Sequence, residues 1–109
     1  MDIQEKKIQA GGIKFFVQKD GREVARAYLY ILKNDLHTRP FGFLEDVFVD
    51  ESERSQGLGK QIVKAVMEAA QREGCYKLVG TSRYERDKVH QMYEKLGFKD
   101  YGKEFRINF

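Results

Sequence analysis

The chain has no tryptophan, one proline and one cysteine among its 109 residues. A lone thiol, Cys75, can close no internal disulfide and build no metal site from cysteine pairs. Two histidines, His37 and His90, stand without a second ligand at metal-binding spacing, so no metal donor set is visible. Long hydrophobic runs are missing as well. None approaches the ~20 residues of a membrane-spanning helix, and the opening "MDIQEKKIQAGG" lacks the apolar centre of a signal peptide. These absences predict a cytoplasmic protein in a reducing compartment, with no membrane and no metal. A dominant charge is lacking too. Twenty basic residues against 17 acidic ones leave a net charge of +3, and no dense basic stripe marks a nucleic-acid binder. The pI near 9.0 still allows weak attraction to anions.

What is present describes a folded domain. Hydrophobic residues make up 41% and aromatics 13%, enough for one core, and no linker or repeat divides residues 1–109. "IKFFVQ" (13 to 18) reads as a strand, Asp20-Gly21 as a hairpin turn, and "EVARAYLYIL" (23 to 32) as a strand with one buried face. "FGFLEDVFV" (41 to 49) is a third strand, making an antiparallel meander. The period then changes. Over 57 to 73, Leu58, Ile62, Val66, Ala69 and Ala70 recur at helical spacing, opposite Lys60, Lys64, Glu68 and Arg72. Gly74 stops that helix. "CYKLVGTS" (75 to 82) reads as a buried strand, which as part of a βαβ unit must run parallel to the third. A second helix over roughly 86 to 96 carries Val89, Met92, Tyr93 and Leu96 on one face, and 97 to 109 should finish the sheet as one or two strands. The expected class is α/β: a mixed, mostly antiparallel sheet with two flanking helices.

"RSQGLGK" (54 to 60) joins the third strand to the long helix. A helix start leaves N–H groups unpaired and carries partial positive charge. Gly57 and Gly59 there have no side chain to hold a phosphate away, so the backbone can approach a pyrophosphate. A tight turn alone is the plain alternative. Two nucleotide loops fail on their letters. A Walker loop ending at Gly59-Lys60 needs Ser or Thr where Gln61 stands, and a dinucleotide fingerprint from Gly57 needs a small residue where Ile62 stands.

Arg54-x-x-Gly57-x-Gly59, between strand and helix, resembles the acetyl-CoA pyrophosphate loop of the GNAT superfamily of N-acetyltransferases. "VHQMYEKLGF" (89 to 98) is similar to a second segment of that family, in the helix before the late strands. The resemblance implies a central pair of parallel strands that splay apart. It also implies acetyl-CoA as cosubstrate, its pyrophosphate on Arg54, Ser55, Gln56, Gly57, Leu58, Gly59 and Lys60. Its pantetheine would pair with the backbone of Val47, Phe48 and Val49, which would otherwise be plain sheet core.

By the same resemblance Tyr93 stands beside the sulfur and protonates the departing thiolate; without it, Tyr93 would read as a core aromatic. Glu45 is the proposed general base or anchor for a cationic amine, and would otherwise be an exposed strand residue. A regular strand would point Asp46 to the opposite face. Arg86 stands where family members often carry a cofactor-touching Asn, so its contact is a departure. So is the dozen residues before "IKFFVQ", too few for the two helices that usually wall the acceptor site. That predicts an open acceptor side, or one completed in a homodimer. The implied activity is acetylation of a primary amine on a small molecule or protein; the competing reading is a non-catalytic acyl-CoA-binding module.

Overall fold

A computed structural model describes all 109 residues. Strand β1 (Gly11–Lys19) turns into β2 (Arg22–Leu32) through Asp20 and Gly21, whose φ values of 54° and 75° suit a two-residue hairpin turn matched to strand twist. Strand β3 (Phe41–Val49) returns antiparallel to β2, with Leu29 opposite Leu44 and Tyr28 opposite Glu45. Helix α1 (Leu58–Arg72) then crosses over the sheet, and β4 (Leu78–Gly80) pairs parallel to β3. Helix α2 (Asp87–Lys95) follows. The sheet order is β1-β2-β3-β4, antiparallel except for the last pair. This is the mixed sheet with two helices that the letters predict. None of its helices is long and apolar enough to cross a membrane.

The core forms between α1 and one face of the sheet. Ala25, Ala27 and Leu29 of β2 and Leu44 of β3 meet Ile62, Val63, Val66, Ala69 and Ala70, all buried. The helical stripe and the strand alternation therefore lock onto each other, and each fixes which face the other buries. Past α1, the Cys75 N–H donates to the Ala70 carbonyl and Arg39 reaches the carbonyls of Gly74 and Cys75. The first contact occupies one of the orphan acceptors at the end of α1, and the Arg39 bonds pin the turn that follows it.

Two expectations change. The strand foreseen over 75 to 82 contracts to Leu78–Gly80, because Cys75 and Tyr76 spend their N–H groups on Ala70 and Pro40. The strands foreseen in 97 to 109 do not form. Residues 99–109 have no regular structure and are exposed throughout, Tyr101 and Phe105 by 96% and 90%. The physical reason is that their apolar side chains bury nothing, so no packing offsets the ordering of a lone strand, and the outer edge of β4 stays unpaired.

Candidate active site

The loop between β3 and α1 is anchored before it turns. Asp50 accepts from the N–H and hydroxyl of Ser52, which holds its carboxyl below the usual range. Glu53 is buried and pairs with Lys19 Nζ at 2.9 Å, tying the loop to the β1–β2 hairpin. Arg54 Nε donates to the Val49 carbonyl at 3.1 Å, closing the loop onto the end of β3. Ser55 and Gly57 then take left-handed conformations, φ 72° and 76°, on either side of Gln56.

Gly57 caps α1 without a side-chain hydrogen bond, and no acidic residue lies in the first turn. Gln61 N–H to Gly57 C=O, 3.0 Å, is the first bond of the helix, so Leu58, Gly59 and Lys60 have N–H groups without a helical acceptor. The two glycines differ in kind. Gly57 needs its left-handed backbone, whereas Gly59 has an ordinary one, and a Cβ there would meet only Val49 Cγ2 at 3.5 Å. The fold does not demand a glycine at 59. Bare backbone beside free donors and a positive helix end can take an anion, pyrophosphate included.

Beside this loop the sheet opens. Strand β4 pairs only with Gly42, Phe43 and Leu44, so Glu45 to Val49 have no neighbour on that side. The parallel pair therefore splays, and an edge of β3 that includes Val47, Phe48 and Val49 lies free beside the glycine loop. A bulge opposite Arg26 to Tyr28 puts Asp46 at φ 51°. It overturns the expectation for Asp46, because the strand is not regular there. Glu45 and Asp46 are both exposed, after which Val47 and Val49 pack on the core and Phe48 lies under Arg26, 4.6 Å from ring to guanidinium. Asp46 is held by Arg26 at 3.1 and 3.3 Å, whereas Glu45 makes no ion pair.

Tyr93 stands on α2, half-buried, its ring 5.2 Å from Phe98. Burial pushes its phenol above the usual 10.0; the Arg86 guanidinium pulls against that, and the Glu45 carboxylate adds to it. Arg86 and Tyr93 belong to one helix and Glu45 to β3, and both charges bear on the phenol. A phenol that holds its proton can act as a donor, and an exposed carboxylate with no ion-pair partner as an acceptor. Arg86 occupies the N-cap position of α2, exposed and without a capping bond. His90 shares its Nε2 between Ser82 Oγ and the Arg83 carbonyl, and no three metal-ligating side chains gather.

Two features escape a reading of the letters. Lys60 on α1 and Lys88, Gln91, Met92 and Lys95 on α2 line one groove of the surface; the three ammonium groups come together only through the packing of the helices. On the sheet face away from α1, Tyr30, Leu32, Phe43 and Glu45 line a shallow, mostly apolar cup with one carboxylate. Cross-strand pairing of β2 with β3 builds it, and no spacing in the sequence announces it.

The sequence profile described as the acetyltransferase (GNAT) family matches residues 2–98. A glucosamine 6-phosphate N-acetyltransferase of Trypanosoma brucei brucei is 38% identical over 95 residues, which are 86% of this chain and 63% of that protein. The chain thus spans less than two thirds of that relative. The crystal structure of glucosamine-6-phosphate N-acetyltransferase from Arabidopsis thaliana superposes with a TM-score of 0.80 at 29% identity, over 90% of this chain and 67% of that one. An aminoglycoside N-acetyltransferase solved with CoA gives a TM-score of 0.72 at 25% identity, over 88% and 74%. Glycine loop, splayed parallel strands and profile agree: the chain belongs to the acetyltransferase (GNAT) family.

Proposed function

We propose that this chain binds acetyl-CoA and transfers its acetyl group to the primary amine of an amino sugar. The observation that carries the reading is the start of α1, where three free N–H groups adjoin a glycine that the fold itself does not require. The N–H groups of Leu58, Gly59 and Lys60 hold the pyrophosphate, with Arg54, Ser55, Gln56 and Gly57 shaping the loop. The free edge of β3 at Val47, Phe48 and Val49 takes the amides of the pantetheine arm. Lys60, Lys88 and Lys95 add positive charge for the remaining phosphate, and Arg86 adds its own at the N-cap position of α2.

Bound acetyl-CoA supplies an acetyl group activated as a thioester. The residues do the rest. Glu45 takes the proton from an incoming ammonium, whose pKa of ~10.4 leaves it charged near neutrality; the freed amine bonds to the acetyl carbon as the carbon–sulfur bond breaks, and the nitrogen's second proton leaves to solvent. Tyr93 returns a proton to the departing sulfur, which its raised pKa suits it to carry to the moment of need. The cup of Tyr30, Leu32 and Phe43 offers aromatic faces to the apolar C–H side of a sugar, with Glu45 at its rim for the amine. Relatives named for glucosamine 6-phosphate and for aminoglycosides share an amino sugar as acceptor, which supports this choice over a polyamine or a protein amine.

The test is thiol release from acetyl-CoA against a panel of glucosamine 6-phosphate, an aminoglycoside, a diamine and a lysine peptide. Release with the sugar amines is expected. CoA binding without release for any amine would instead identify a non-catalytic acyl-CoA module.

A further inference from the structure

Glu53 is the one charged side chain that the fold buries, and neither the acetyl transfer nor the phosphate contacts proposed above use it. Its side chain is 10% exposed and stands one residue before Arg54, at the entrance to the glycine loop. A buried carboxylate without a partner costs free energy, and a negative charge beside an anion site opposes the anion. Lys19 Nζ, at 2.9 Å, answers both. It comes from the end of β1, in the β1–β2 hairpin.

The tip of that hairpin grips the same loop twice more. The Asp50 N–H donates to the Val24 carbonyl at 2.7 Å, and the Arg22 guanidinium reaches the Asp50 carboxylate at 3.5 Å. What these ties restrain is a strained turn. Ser55 is not a glycine, yet it holds φ 72° two residues beyond Glu53. A residue in that region stays there only where its surroundings hold it. From Arg54 to Gly57 the loop's own side chains supply one hydrogen bond, that of Arg54 to the Val49 carbonyl. The other hold on this turn is the pair of Glu53 with Lys19.

We propose, on the CoA reading above, that Glu53 and Lys19 are positioning residues for the cofactor. Their contact keeps residues 54 to 57 in the shape that receives the pyrophosphate, so the hairpin sets the affinity of a site to which it contributes no ligand. The test is calorimetric CoA titration of the full chain, of Lys19→Met, of Glu53→Gln and of the double variant. Each single variant is expected to raise Kd about tenfold, the factor that follows if the released loop keeps its receptive shape about a tenth of the time. The double variant should lose no more than either single one, because the same tie is broken in all three. Turnover of Lys19→Met at saturating acetyl-CoA should stay native, so the loss falls on the cofactor's KM and spares kcat. Lys19→Arg keeps the charge and should bind as the native chain does. Lys14→Met breaks a comparable pair on β1, with Glu23 at 2.6 Å, and should leave Kd unchanged. Losses that multiply in the double variant overturn the proposal, because Lys19 then attracts CoA as a separate charge. So does an unchanged Kd in both single variants, even with a lowered melting point, since the pair is then structural only. A native chain that takes up no CoA overturns the cofactor reading itself, and this inference with it. If Glu53→Gln does not fold, the comparison of Lys19→Met with Lys19→Arg decides, at a side chain that is 60% exposed.

Discussion

Replacing Gly59 with alanine should raise the melting temperature and weaken CoA binding in the same molecule. Its backbone needs no left-handed angle, and the new methyl would meet Val49 Cγ2 at an ordinary 3.5 Å. Alanine is favoured over glycine inside a helix by up to about 1 kcal/mol, which for a domain of this size raises the melting point by at most about 4–8 °C. Position 59 lies in the first turn, so the gain falls in the lower part of that range. Affinity moves the other way. A methyl that keeps a phosphate from one N–H removes a charge-assisted hydrogen bond of roughly 1.5–3 kcal/mol, or about 10- to 100-fold in Kd. Gly57→Ala is the contrast: at φ 76° a Cβ costs about 1–2 kcal/mol, so stability and binding both fall. Thermal melts and calorimetric CoA titrations of the three proteins suffice. A Gly59→Ala protein that binds CoA as tightly as the native chain refutes the backbone-contact argument, whatever its melting point.

Tyr93→Phe should lower turnover by about 10²- to 10⁴-fold, the usual worth of a general acid, and leave CoA affinity within a factor of a few; steady-state rates and calorimetry check both. The raised phenol also predicts a pH dependence of stability. Folded Tyr93 holds its proton above the unfolded value of 10.0, so its contribution is complete below pH 10 and is lost as pH climbs through the folded value. Urea melts at about pH 9 and about pH 11 should show that loss in the native chain and a smaller one in Tyr93→Phe. Leu29→Ala, at a fully buried position between the sheet and α1, should cost about 2–5 kcal/mol by leaving a cavity, read from denaturant midpoints.

Much of the architecture was legible because two periods cross-check each other. The three- and four-residue spacing from Leu58 to Ala70 and the alternation through Ala25, Ala27 and Leu29 name the residues that meet in the core. The glycine loop was legible because its backbone chemistry sits within six residues. Other parts rest on neighbours that no local pattern encodes. The letters of Glu45-Asp46-Val47 name no bulge, and only pairing with Arg26 to Tyr28 reveals the extra residue. The lysine groove unites residues from two helices, and the cup unites two strands. For residues 97–109 the pattern of a strand is in the sequence, but whether the segment joins the sheet depends on what its apolar side can pack against, which no local pattern encodes.

The bulge at Asp46 divides β3 into two stretches of opposite parity, so one extended segment sends Leu44, Val47 and Val49 inward and Glu45 and Phe48 outward. Loss of the single codon for Asp46 would remove the extra residue and leave every other face as it is, Val47 and Val49 still inward and Phe48 still outward. What would go with it is the carboxylate that holds Arg26 over Phe48. A segment shortened by one residue at this point should therefore keep its core and lose its kink, whereas a length change on the β2 side, which has no spare residue, would turn the strand over.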